Sequence, residues 1–124
     1  MLTIFEKILL GHLIGDYLIQ SKKMALTKSI KGLNGLKWCS IHCLLYTLAV
    51  CLLTATSDPI KISLIFMSHF PIDRWSLANK WLKMIRGRNL KLASEIDLSF
   101  SVIIYVVVDN TIHILLMTAI FKYF

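Results

Sequence analysis

All four histidines of this 124-residue chain lie in strongly apolar segments, and three have an aspartate four residues away. The pairs are His12 with Asp16, His69 with Asp73, and Asp109 with His113; His42 alone lacks such a partner. Four residues along an α-helix is about 400°, so each pair projects from one helical face. Chance would give three matches in four on the order of once in a hundred. An ionisable residue in a membrane segment is costly and marks function by default. The spacing therefore predicts an intramembrane metal site.

Imidazole together with carboxylate suits zinc first, then manganese or iron, and metal sites in helical bundles take ligands from facing helices. The candidates are His12, Asp16, His42, His69, Asp73, Asp109 and His113, more than the four ligands of a simple zinc site. Either some carboxylates orient the histidines from behind, or two ions share the aspartates. A paired centre can clamp a phosphoryl group and activate water against it, with Asp16 or Asp73 as the general base. In a membrane the natural substrate is a lipid-linked or amphiphilic phosphate or ester.

The neighbours of these residues carry weaker signals. Gly11 and Gly15 flank His12 at a spacing that permits close helix approach in lipid. Pro71 sits between His69 and Asp73 and can kink the helix that carries them. Arg74 could bind a phosphate head group or snorkel to the interface. Asn110 and Gln20 could hydrogen-bond the ligands. Cys39, His42 and Cys43 form a C-x-x-H-C cluster resembling zinc-ligand spacing, although cysteine is also a common small buried residue. Tyr17, Tyr46 and Tyr105 read as core or interface residues. No Gly-rich phosphate loop, Ser–His–Asp order or H-E-x-x-H sequence is present.

The elements that must position this set are hydrophobic. The chain is 56% hydrophobic, with a mean hydropathy of +0.68, too apolar for a soluble domain of its length. Four segments of near-spanning length are expected, at about Leu2–Ile19, Trp38–Ala55, Ile60–Leu77 and Leu98–Phe121. Ser57-Asp58-Pro59 is a turn signal between the second and third. The connector from Lys22 to Lys37 reads as a polar loop with one short helical turn. Ser76 to Ile85 has a basic amphipathic pattern suited to the membrane surface, ended by Gly87. The expectation is one all-α domain over residues 1–124: an integral membrane bundle of four transmembrane helices with a short basic interfacial helix.

The net charge of +7 could suggest nucleic acid, but the charges sit in two connectors. Lys22, Lys23, Lys28, Lys31 and Lys37 occupy one; Arg74, Lys80, Lys83, Arg86, Arg88 and Lys91 occupy the other. Such alternation is the positive-inside signature, and it predicts cytoplasmic connectors, both termini outside and no nucleic-acid partner. Trp38, Trp75 and Trp81 then fall near the cytoplasmic interface, where tryptophan is favoured. The basic residues would also be attracted to anionic membrane lipids. Cys39, Cys43 and Cys51 share one apolar segment and make no disulfide framework. The start of the chain lacks the basic region and cleavage site of a signal peptide.

Gly11-His12-Leu13-Ile14-Gly15-Asp16-Tyr17, His42-Cys43-Leu44-Leu45-Tyr46, His69-Phe70-Pro71-Ile72-Asp73-Arg74 and Asp109-Asn110-Thr111-Ile112-His113 together resemble a family of small bacterial and phage membrane proteins with a domain of unknown function. The resemblance covers nearly the whole chain and implies no particular activity. More distantly, the His and Asp pattern is similar to membrane-bound metal-dependent hydrolases typified by an SOS-regulated inner-membrane protein. That similarity implies a metal and hydrolysis, with His12, Asp16, His69, Asp73, Asp109 and His113 as candidates. The leading expectation is a metal-dependent hydrolase-like protein at the inner leaflet of the bacterial inner membrane. Two alternatives stand beside it. One is a proton or metal-ion transporter, which four short helices would build only as a homo-oligomer. The other is a small structural, phage-encoded membrane factor whose polar layer serves assembly.

Overall fold

The computed structural model describes residues 1–86 and 95–124, with the side chains of 86 and 95–98 left aside. Gly87, Arg88 and Lys91 therefore lie outside the described residues, as does the expected helix end at Gly87.

Thr3 starts α1 (Ile4–Leu13) through a reciprocal cap. Its hydroxyl accepts from the Glu6 backbone at 3.3 Å, and the Glu6 carboxylate accepts from the Thr3 backbone at 2.6 Å. The helix then widens into a π segment, Ile14–Leu18, closed by the bond from Ile19 N to Ile14 O at 3.1 Å. A short helix α2 (Lys22–Thr27) fills part of the basic connector. Gly32, at φ +96°, turns the chain into α3 (Leu33–Thr54). Ala55, in the left-handed region, ends α3. Asp58 then caps α4 (Pro59–Arg74) by accepting from Ile60 N at 2.9 Å, with Pro59 in the first turn where a proline fits. Ser76, also at positive φ, separates α4 from α5 (Leu77–Arg86). The long α6 (Glu95–Tyr123) closes the chain. The described residues contain no strand.

Helix α1 packs on α3, α3 on α4, α4 on α6, and α6 returns to α1, so the four form a ring. Its apolar core joins Ile8, Val50, Ile65 and Met117, one from each helix, with Tyr46 and Ile120. The polar residues follow at the same step in every helix. His12 is four residues beyond Ile8, Tyr46 four before Val50, His69 four beyond Ile65, and His113 four before Met117. Two stacked layers, one apolar and one polar, therefore run through a ring whose helices alternate in direction.

Of the four expected spans, two have the length and hydropathy of a membrane crossing among the described residues: α3 and the stretch Ser99–Tyr123 of α6. The first segment is divided at Leu13 by the π turn. The third stops at Arg74 rather than Leu77, and its 16 residues rise about 24 Å against the roughly 30 Å of a hydrocarbon core. Helix α5 follows the amphipathic stretch, with Ala78 and Leu82 buried and Trp81, Ile85, Lys80 and Lys83 exposed.

Candidate metal centre

The polar layer collects all seven candidate residues. Four donor atoms converge most tightly: Asp16 Oδ1, His42 Nε2, His69 Nε2 and Asp73 Oδ2. His42 Nε2 lies 3.0 Å from His69 Nε2, 3.2 Å from Asp16 Oδ1 and 2.9 Å from Asp73 Oδ2. His69 Nε2 lies 3.5 Å from Asp16 Oδ1 and 3.2 Å from Asp73 Oδ2. A tetrahedral ion with bonds of about 2.0–2.1 Å holds its ligands about 3.3–3.4 Å apart. These five separations bracket that edge.

Proton bookkeeping favours a cation as well. An imidazole nitrogen carries one proton or one lone pair. His42 Nε2 faces a second imidazole nitrogen and two carboxylate oxygens within 3.2 Å, and Gln20 Nε2 approaches it at 3.2 Å too. One proton cannot serve them all. Among the described residues, Asp16 Oδ1, His69 Nδ1 and His113 Nε2 are buried without a paired hydrogen bond, Asp16 Oδ1 lying 3.2 Å from His42 Nε2. Buried polar atoms are normally paired, so orphans clustered in one layer call for an additional group. The charges agree. Asp16, Asp73 and Asp109 face one ammonium among the described residues, that of Lys28, so the carboxylates outnumber the fixed cations beside them.

Three groups of residues could hold an ion: Asp16, His42, His69 and Asp73; His12, Asp16 and His113; and Asp73, Asp109 and His113. Asp16, Asp73 and His113 each belong to two of them, and the two carboxylates have the oxygens to bridge neighbouring ions. The three i, i+4 pairs all lie side by side, at 3.5 Å for His12–Asp16, 3.2 Å for His69–Asp73 and 3.6 Å for Asp109–His113. Pro71 does not spoil the second of these. His42, without a sequence partner, stands at the centre of the tightest group.

His12 is differently employed. Asn110 Nδ2 donates to the Val106 carbonyl at 2.6 Å, so its Oδ1 faces His12 Nε2, at 2.7 Å, and must accept from it. Nδ1 then carries the lone pair and accepts from the Tyr46 hydroxyl at 3.1 Å. The Tyr46 ring in turn stacks on His69, centroids 3.6 Å apart. His12 thus orients Tyr46, and through it His69.

Two side chains enter the site from positions that the sequence reading assigned elsewhere. Lys28 reaches in from α2 to place Nζ 2.7 Å from Asp73 Oδ2. Burial pulls its pKa down, but the charges of Asp73 and Asp16 outweigh that and hold it above the ordinary lysine value. Tyr46, read as core, is fully buried beside the histidines. Arg74, by contrast, donates to the Ile30 carbonyl at 2.7 Å, tying α4 to the connector after α2. The cysteines stay outside the three groups. Cys39 and Cys43 face each other at 4.0 Å, and Cys39 points to the Phe70 carbonyl.

A cavity of about 200 Å³ opens beside the layer, lined by Asp16, Asp109, Lys28, Gln20, Tyr17 and Tyr105 among others. The cluster is therefore reachable from outside through two of its own carboxylates.

The chain belongs to the DUF3307 family, proteins of unknown function, whose model matches residues 4–124. No match to a curated protein or to a solved structure reaches significance.

Proposed function

We propose that this is a metal-dependent hydrolase-like protein of the bacterial inner membrane, or of a phage acting there, working on a lipid or amphiphilic phosphate or ester at the cytoplasmic leaflet. The observation that carries the reading is the convergence of Asp16, His42, His69 and Asp73 at ligand spacing next to an open cavity. Two nitrogen and two oxygen donors suit zinc, with manganese or iron as substitutes.

Asp16, His42, His69 and Asp73 would hold a divalent ion, which would supply Lewis acidity toward a phosphoryl or carbonyl oxygen and toward water. The protein's own groups divide the remaining work. Asp16 lines the cavity, and with Oδ1 given to the ion its Oδ2 is the oxygen left to take a proton from water. Asp73 is held by Lys28, His42 and His69 and serves as ligand and anchor. Lys28 faces the cavity with an ammonium that can pair with an anionic group.

Membrane residence is supported by what α3 and α6 leave uncovered. Leu44, Leu48 and Leu52 on α3 and Ile103, Val107 and Leu115 on α6 are each more than half exposed, a face that water would penalise. Only 17% of the most apolar window of α6 is buried, unlike the core helix of a soluble protein. In this reading α1 and α4 also cross, with the bilayer thinned around them. The basic connectors are cytoplasmic and both termini are outside.

Metal content decides the matter. Protein purified in mild detergent without chelator is expected to hold near-stoichiometric zinc, manganese or iron by elemental mass spectrometry. His42→Gln should abolish it, and His12→Gln should retain most of it. Folded protein that takes up none of these ions on reconstitution would overturn the reading in favour of a polar packing layer.

A further inference from the structure

The cavity beside the cluster does not end at its polar wall. Tyr17 and Val106, which line it, also line a shallow apolar groove of about 510 Å³ between α1 and α6. The groove is bounded by Leu13 on one side and by Val107, Thr111 and Ile114 on the other. Tyr17 stands at the junction, its hydroxyl accepting from Asn110 Nδ2. From the cavity, bounded by Tyr105, Val106 and Asp109, the groove runs to Ile114, toward the middle of the Ser99–Tyr123 stretch. A polar end with an ammonium and metal donors thus leads into an apolar end that climbs the outer face of a candidate span.

We infer that the two compartments form one bipartite site for a membrane lipid with an anionic phosphate head, the head lying in the cavity against Lys28 and the hydrocarbon chain in the Leu13–Ile114 groove. The inference rests on the preceding reading for the head group's chemistry and adds where the chain goes. Three observations select a lipid over a soluble phosphate or a partner helix. The groove shares walls with the polar cavity, so one molecule can fill both. Lys28 and the donor cluster lie at one end only, which matches an amphiphile with one charged end. The groove is bordered by exposed apolar residues such as Val107, which is 58% exposed, on a face suited to acyl chains. In the orientation proposed above, an inner-leaflet lipid would enter with its head at the cytoplasmic side and its chain toward the midplane, without inverting.

The probe is dodecylphosphonate, whose carbon–phosphorus bond resists hydrolysis, so binding is read apart from turnover. It is titrated calorimetrically into the full chain held in amphipol, beside methylphosphonate as head alone and dodecanol as chain alone. Chain burial should add roughly tenfold in affinity for every two methylenes covered. Saturable one-to-one binding is expected, at least about tenfold tighter than for either half. Val107→Trp and Ile114→Trp, which fill the groove, should erase the gain from the chain while leaving methylphosphonate binding unchanged. Lys28→Met should weaken both phosphonates. Leu115→Trp, at an exposed position outside the groove, should change nothing.

Equal binding of dodecyl- and methylphosphonate overturns the inference, as does equal loss in the Val107 and Leu115 variants, which would mark unspecific adsorption. Metal content is measured on the same samples, so the two readings fail separately. Bound metal without a chain effect removes the lipid groove and leaves the metal centre. A chain effect without metal leaves a lipid site and removes the hydrolase.

Discussion

Replacing Lys28 with methionine tests whether the cluster is built around an unneutralised charge. The ammonium lies 2.7 Å from Asp73 Oδ2; its side chain is 15% exposed and that of Asp73 is 2% exposed. Methionine keeps the length of the stem but leaves three carboxylates with no facing cation among the described residues. Breaking a buried pair by removing one partner costs about 3–5 kcal/mol, because the remaining charge stays buried. For a chain of this size, 3 kcal/mol corresponds to a fall in Tm of roughly 10 °C. That loss should appear in chelator. Added zinc should then stabilise the variant more than the parent, because the ion supplies the missing charge and no longer competes with Lys28 for Asp73. An ion at a hundred times its Kd contributes about 2.7 kcal/mol, enough to offset most of the loss. The assay is thermal unfolding by circular dichroism in detergent, with chelator and across a zinc titration. Lys28→Arg serves as the charge-preserving control. Equal Tm values for parent and Lys28→Met in chelator, or equal stabilisation of both by zinc, would refute the charge argument.

Gly15→Ala should destabilise by about 1–3 kcal/mol and lower metal content, because a Cβ there would lie 2.6 Å from Tyr46 Cδ2 and push the ring off His69. Gly11→Ala should cost a similar amount in unfolding experiments with less effect on metal, since its Cβ would meet the Val50 backbone at 2.9 Å, away from the histidines. Cys39→Ser with Cys43→Ser should leave metal stoichiometry unchanged by elemental analysis, and loss of the ion would return the thiolates to the ligand set.

The residue pairs were more legible in the sequence than the path of the backbone. Pairs four residues apart announce a shared helical face whatever the tertiary structure, so His12–Asp16, His69–Asp73 and Asp109–His113 could be read directly. His42 could be placed only by its depth in the second segment, and its role at the centre of the tightest group comes from contacts across the ring. Lys28 was hidden for the same reason. Its partner is 45 residues away, and in a basic connector nothing distinguishes it from Lys22 or Lys31. Arg74 reads as a phosphate or interface residue until α4 is seen to end against the connector, where the Ile30 carbonyl takes its guanidinium. Hydropathy located the apolar segments but not their interruptions, because a window average is blind to a π turn at Ile14–Leu18 or to positive φ at Ser76.

Those interruptions and the cluster coincide. Asp16 and Asp73 sit where the first and third apolar segments leave regular helix or end. Asp16 lies within the π segment, where the wider turn leaves its Oδ1 nearer His42, at 3.2 Å, than its Oδ2 is to its own helical partner His12, at 3.5 Å. Asp73 follows Pro71, which has no N–H to donate into the helix, and α4 ends one residue later. Each carboxylate stays within reach of the histidine of its own helix and also reaches His42 across the ring. Donors from all four helices then meet in one layer, and the unpaired polar atoms lie in that layer, where a bound cation could compensate them.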